Sequence, residues 1–102
     1  MDAAARYAEI VDDLVARNDN VQATKMMGMP SVKRAGKLVA GFVPDEDAMV
    51  FKFPHANDRD AALGLKGAHL FAPMQGRQMK EWVVVPKAHE KEWPKLAERA
   101  VR

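Results

Sequence analysis

At 102 residues the chain is the size of one domain, and with 48% hydrophobic and 29% charged residues it reads as globular rather than disordered. The absence of cysteine excludes disulfides, thiolate nucleophiles, iron–sulfur clusters and Cys-based zinc sites. Sixteen basic residues against fourteen acidic ones leave a net charge of +2, without the clustered excess of a dedicated nucleic-acid binder.

From Asp2 to Arg17 the apolar residues Tyr7, Ile10, Val11 and Leu14 recur at helical spacing. The pattern predicts an amphipathic helix, ended by the turn formers Asn18-Asp19-Asn20. Thr24 to Met27 reads as short and extended, punctuated by Gly28 and Pro30. Val32 to Arg34 leads into a hairpin turn at Ala35-Gly36, and Lys37 to Val43 then alternates with Leu38, Ala40 and Phe42 on one face. After Pro44-Asp45-Glu46-Asp47, Ala48 to Phe53 alternates again, Met49, Phe51 and Phe53 pointing one way and Val50 and Lys52 the other. These form three consecutive antiparallel strands.

Asn57 or Asp58 is placed to cap a short helix running to about Leu65, with Gly67 as terminator. Leu70-Phe71-Ala72 is a short strand, Gln75-Gly76-Arg77 a turn, and Met79 to Val85 a valine-rich strand carrying Trp82. The tail from about Lys87 to Val101 reads helical, with Trp93, Leu96, Ala97 and Ala100 on one face. Pro94 belongs in a first helical turn, which places a break near Glu92. The order α-β-β-β-α-β-β-α describes one α+β domain spanning 1–102, an antiparallel sheet with helices packed on one face. Leu14, Leu38, Phe42, Phe51, Trp93 and Leu96 are its expected core. No run approaches the ~18 apolar residues of a membrane-spanning helix, and Met1-Asp2-Ala3 opens no apolar leader, so a cytoplasmic location is expected.

Chemistry-bearing motifs are few. His55, His69 and His89 form no local ligand pair, and Asp45, Glu46 and Asp47 lack the rest of a calcium loop, so no metal and no cofactor is expected. The one serine, Ser31, follows Pro30 outside any nucleophile elbow; there is no P-loop or dinucleotide fingerprint, so no catalytic residue is assigned. Seven methionines are many for this length. Met26, Met27 and Met29 surround Gly28, while Met74 and Met79 flank Gly76. Thioethers could ligate Cu(I) or supply an adaptable apolar surface, here Met26, Met27, Met29, Met79 and Trp82, whereas the plainer alternative is a core or dimer interface filled with flexible residues.

Charge supplies the last constellation. Lys25 precedes one glycine turn, Arg77 and Lys80 follow the other, and Lys33, Arg34 and Lys37 surround the first hairpin. If the ends of these strands meet, Lys25, Gly28, Gly76, Arg77 and Lys80 make an anion pocket, glycines admitting backbone N–H groups close to a ligand. The alternative is a solvated basic edge that discourages strand pairing.

The run Lys25-Met26-Met27-Gly28-Met29-Pro30, with Lys33, Gly36-Lys37 and Ala48-Met49-Val50-Phe51-Lys52, resembles the N-terminal domain of the TfoX/Sxy proteins. So do Phe71-x-Pro-Met74, Gly76-Arg77-x-Met79-Lys80-x-Trp82-Val83-x-Val85-Pro86 and Trp93-x-x-Leu96-Ala97, so the likeness covers about Thr24 to Ala100. It implies an α-β(3)-α-β(2)-α domain similar in outline to secretion chaperones and YjbR-like proteins. It implies no catalytic residues, and it concerns the N-terminal domain alone, so a regulatory role in DNA uptake does not transfer with it. The resulting expectation is a small non-enzymatic interaction or regulatory module, a homodimer or the binder of a protein partner. The alternative is a small-anion or ligand binder, conceivably an enzyme, using Lys25, Arg77 and Lys80; nucleic acid would engage the same cations with Trp82.

Overall fold

The structure is a computed structural model that describes residues 2–26, 28–74 and 77–101, with Pro73, Met74 and Arg77 described through their backbone only. Helix α1 (Ala3–Arg17) starts where the Asp2 carboxylate accepts a hydrogen bond from the Ala5 amide at 2.7 Å, satisfying one of the free N–H groups of the first turn. It buries Tyr7, Ile10, Val11 and Leu14, the stripe its spacing defines. Six strands follow: β1 (Val21–Met26), β2 (Met29–Arg34), β3 (Lys37–Val43), β4 (Ala48–Lys52), β5 (His69–Met74) and β6 (Arg77–Pro86). Helix α2 (Ala56–Leu63) separates β4 from β5, and α3 (Trp93–Ala100) closes the chain with Pro94 in its first turn. All neighbouring strands are antiparallel, in the spatial order β1-β2-β3-β4-β6-β5.

The α+β reading of the sequence therefore holds, with one strand more than expected. The segments on either side of Gly28 are separate strands paired as a hairpin, Met26 opposite Met29, and Gly28 takes φ +80° at the turn. Helix α2 also begins earlier than Asn57; His55 occupies its N-cap position without a side-chain hydrogen bond.

The helices cover one sheet face. Phe42, Met49, Phe51, Phe53, Val83 and Val85 pack there against Leu14, Trp93, Leu96 and Ala97. Trp93 is fully buried, and its indole N–H donates to the Val85 carbonyl at 3.2 Å, so its one polar group is satisfied. Arg17 pairs with Asp13 at 2.7 Å and with Glu98 at 2.6 Å, linking α1 to α3 at the surface. Of the expected core, Leu38 departs: it is only half-buried and faces the other way. The cause is a β-bulge. Val32 pairs with Ala40 and Lys33 with Leu38, leaving Val39 without a partner; Val39 and Ala40 both join the helix-side core, and the alternation that put Leu38 beside Ala40 and Phe42 is broken.

Among the described residues no helix covers the reverse sheet face, yet Val50 and Val84 at its centre are fully buried. They cluster with Val43 and Ala48 beneath Met29, Phe71 and Trp82. These covering residues come from the outer strands. The β5–β6 ladder shifts register at Leu70/Phe71 and again before Met74, and irregularities of this kind bend and over-twist a hairpin. Among the described residues no helix is long and apolar enough to cross a membrane.

Candidate functional site

The curled outer strands enclose an apolar cleft of about 500 Å³ on the uncovered face. Its lining comprises Met26, Met29, Ser31, Leu38, Ala40, Phe71, Met79 and Trp82. Each comes from a different logic of the fold. Met26 and Met29 are the last ladder pair of the β1–β2 hairpin, side by side with Cβ atoms ~5 Å apart. Leu38 is delivered by the bulge at Val39. Phe71 and Met79 are partners across the distorted β5–β6 hairpin, and Trp82 lies in register with Lys52 on β4. Met26 and Met79 remain 44% and 40% exposed, which leaves the cleft open to a ligand at its rim.

Ser31 is the one polar side chain in the buried class among the described residues. Its hydroxyl donates to the Met29 carbonyl at 3.0 Å, so it offers no proton to an occupant. Beside it, Gly41 allows β2 and β3 to approach closely: a Cβ there would lie 3.0 Å from the Pro30 carbonyl oxygen and 3.2 Å from Met29 Cε.

The structure thus brings Met26, Met29, Met79 and Trp82 into one place, while Met27 lies outside the described residues. The sequence did not point to Leu38, Ser31 or Phe71 as part of this surface. A single serine in an apolar strand was the available signal for the cleft floor.

The basic constellation is placed differently. Ladder directions put the Met26–Met29 pair at the sheet end that holds Val43, Ala48 and Pro86, and the Met74–Arg77 backbone pair at the opposite end. Lys25, exposed on β1, alternates with Met26 and so turns away from the cleft. Lys80 is exposed on β6 beside Met79. Gly28 borders a shallow hollow with Asp45 and Glu46, whose carboxylates oppose an anion. Gly76 and the Arg77 side chain lie outside the described residues. Lys25 and Gly28 therefore lie toward one sheet end and Lys80, with the Arg77 backbone, toward the other.

The histidines sit on separate elements. His69 on β5 presents Nε2 to Glu46 Oε1 at 2.8 Å and Nδ1 to the Leu70 carbonyl at 3.0 Å. Two acceptors require two N–H donors, so this geometry suits the imidazolium; the Leu70 carbonyl first and Glu46 second raise its pKa above the ordinary value. His89 Nε2 meets the Lys66 carbonyl at 2.8 Å. Among the described residues no group of three His, Cys, Asp or Glu side chains is placed to hold a metal. A smaller hollow between α1 and α3 is lined by Arg6, Glu9, Asp13 and Arg17, whose charges already pair with one another. No family model, curated protein or solved structure matches the chain.

Proposed function

We propose that the chain is a non-enzymatic interaction or regulatory module of the TfoX N-terminal-like type, and that its binding site is the methionine cleft. The observation that carries this reading is the cleft itself: about 500 Å³, walled among the described residues by three thioethers, an indole and a phenyl ring, with the Ser31 hydroxyl already bonded. Thioether side chains are flexible and polarisable, so such a wall adapts to apolar groups of differing shape. Its volume falls in the ~300–1,000 Å³ range of small-molecule sites. The alternative of a small-anion binder at Lys25, Arg77 and Lys80 draws no support from their placement at different sheet ends.

The test is binding of a neutral apolar fluorophore such as N-phenyl-1-naphthylamine. Its emission should rise on mixing, and Met79→Gln should weaken the response at least several-fold while thermal stability changes little, since exposed substitutions usually stay within ~0.5 kcal/mol. An unchanged response in Met79→Gln and in Met26→Gln would remove the cleft from consideration. A homodimer is the other part of the expectation. The concavity of the methionine wall favours a small occupant over a flat two-fold contact, and sedimentation at micromolar concentration distinguishes an 11.3 kDa species from one of twice that mass.

A further inference from the structure

We infer that the occupant of the cleft is a small anionic amphiphile, its apolar body between Met26, Met79 and Trp82 and its head group at Lys33 and Lys52. The inference rests on the cleft reading above and adds the chemistry of the ligand. Cross-strand partners share a sheet face, so Lys33, in register with Leu38, and Lys52, in register with Trp82, both belong to the cleft face. Both are half-buried, and neither enters an ion pair among the described residues. At the other end of the same face stands the acidic turn, with Glu46 held by His69. The face is therefore polarised along the strands: two unpaired ammonium groups at one end, carboxylates at the other, apolar walls between. Glu81, the acidic neighbour of Trp82, alternates onto the opposite face.

Among the described residues eight line the cleft, and its volume of about 500 Å³ suits a single acyl chain or ring system. Long lysine stems also lie along apolar surface while their ammonium groups stay in water, which matches an amphiphile with its head at the rim.

Decanoate and decanol serve as probes, because they share a chain and differ in charge. Titration is followed on protein carrying ¹³C-methyl methionine. The methyls of Met26, Met29 and Met79 should shift and that of Met49, buried on the helix side, should not. Decanoate should bind at least five-fold more tightly than decanol at low salt, with the gap closing at molar salt. Lys33→Gln and Lys52→Gln should each weaken decanoate about two- to five-fold, the range of exposed ion pairs, and leave decanol unchanged. Equal affinity for both probes, or lysine variants that affect both alike, would overturn the head-group inference and leave the cleft reading standing. No methyl shift with either probe would remove both. Association with anionic vesicles alone, without a response to monomeric decanoate, would also overturn it.

Discussion

Gly41 offers the sharpest test of how the cleft floor is built. Its backbone φ lies outside the left-handed region, so alanine fits the strand conformation, and reduced freedom of the unfolded chain would by itself stabilise Gly41→Ala by ~0.4–1 kcal/mol. Space works against it. The new methyl would sit 3.0 Å from the Pro30 carbonyl oxygen, 3.2 Å from Met29 Cε and 3.4 Å from Ser31 Oγ. The first of these is main chain within the β2–β3 pair and cannot rotate away. Overpacking a tight site typically costs ~1–3 kcal/mol, so the net expectation is a loss of about 1–2 kcal/mol. With a urea m-value of ~1–3 kcal/mol/M for a small domain, the unfolding midpoint should fall by about 0.5–1 M. The second contact links stability to the site: Met29 has to swing its terminal methyl into the cleft, so apolar dye binding should weaken as well. A variant as stable as the parent, or more so, with undiminished dye binding would refute the close approach of β2 and β3 on which the cleft geometry depends.

Three further perturbations probe the fold and its charges. Phe51 is fully buried on the helix side, and Phe51→Ala should cost ~3–5 kcal/mol in denaturant melts; a loss under ~1 kcal/mol would mean that Phe51 is not part of the packed core. Leu38→Ala should cost under ~1.5 kcal/mol but reduce dye binding, while Leu14→Ala, in the core, should cost ~2–5 kcal/mol and spare the dye; the opposite ranking would place Leu38 back with Phe42. His69 binds its proton more tightly folded than unfolded, so its contribution to stability is complete below the ordinary value of 6.5 and is lost as pH rises through the raised folded value. Histidine NMR titration should give a midpoint above 6.5 that falls in Glu46→Gln; a midpoint at or below 6.5 in the parent would rule out the two-acceptor arrangement.

What the sequence revealed follows from where its signals are local. Tyr7, Ile10, Val11 and Leu14 repeat at the period of a helix that packs on a core, and Met49, Phe51 and Phe53 at the period of a strand with one covered face; both patterns survive in the structure unchanged. Pro94 and Pro86 marked boundaries for the same reason, since ring geometry acts on the residue itself. β1 was legible only in part because Gln22, Ala23 and Lys25 are exposed on an edge strand, which has no need of an apolar alternation. The fate of Leu38 was not legible: the bulge that turns it depends on pairing with β2, not on any residue preference in Lys37 to Val43. The methionine surplus was visible as composition, and four of its five proposed contact residues do line one cleft. That they meet depends on strand order and on the register shifts of the β5–β6 ladder, a long-range outcome. The same topology separates Lys25 from Arg77, which spacing alone left free to converge.

The unpaired Val39 has an implication for how such a cleft is gained or lost by descent. Deleting its codon would let Ala40 follow Leu38 directly, and regular alternation would still place Leu38 on the uncovered face and Ala40 on the helix face. Every remaining residue of β3 would keep its partner and its side. What would vanish is the local bend that the extra residue imposes on the strand. Curvature here is thus separable from sequence identity at the lining positions: one in-frame insertion or deletion changes the depth of the groove and leaves its chemistry intact. Chains with the same lining residues and a β3 of six rather than seven residues should present a shallower trough, and so accept broader and flatter guests.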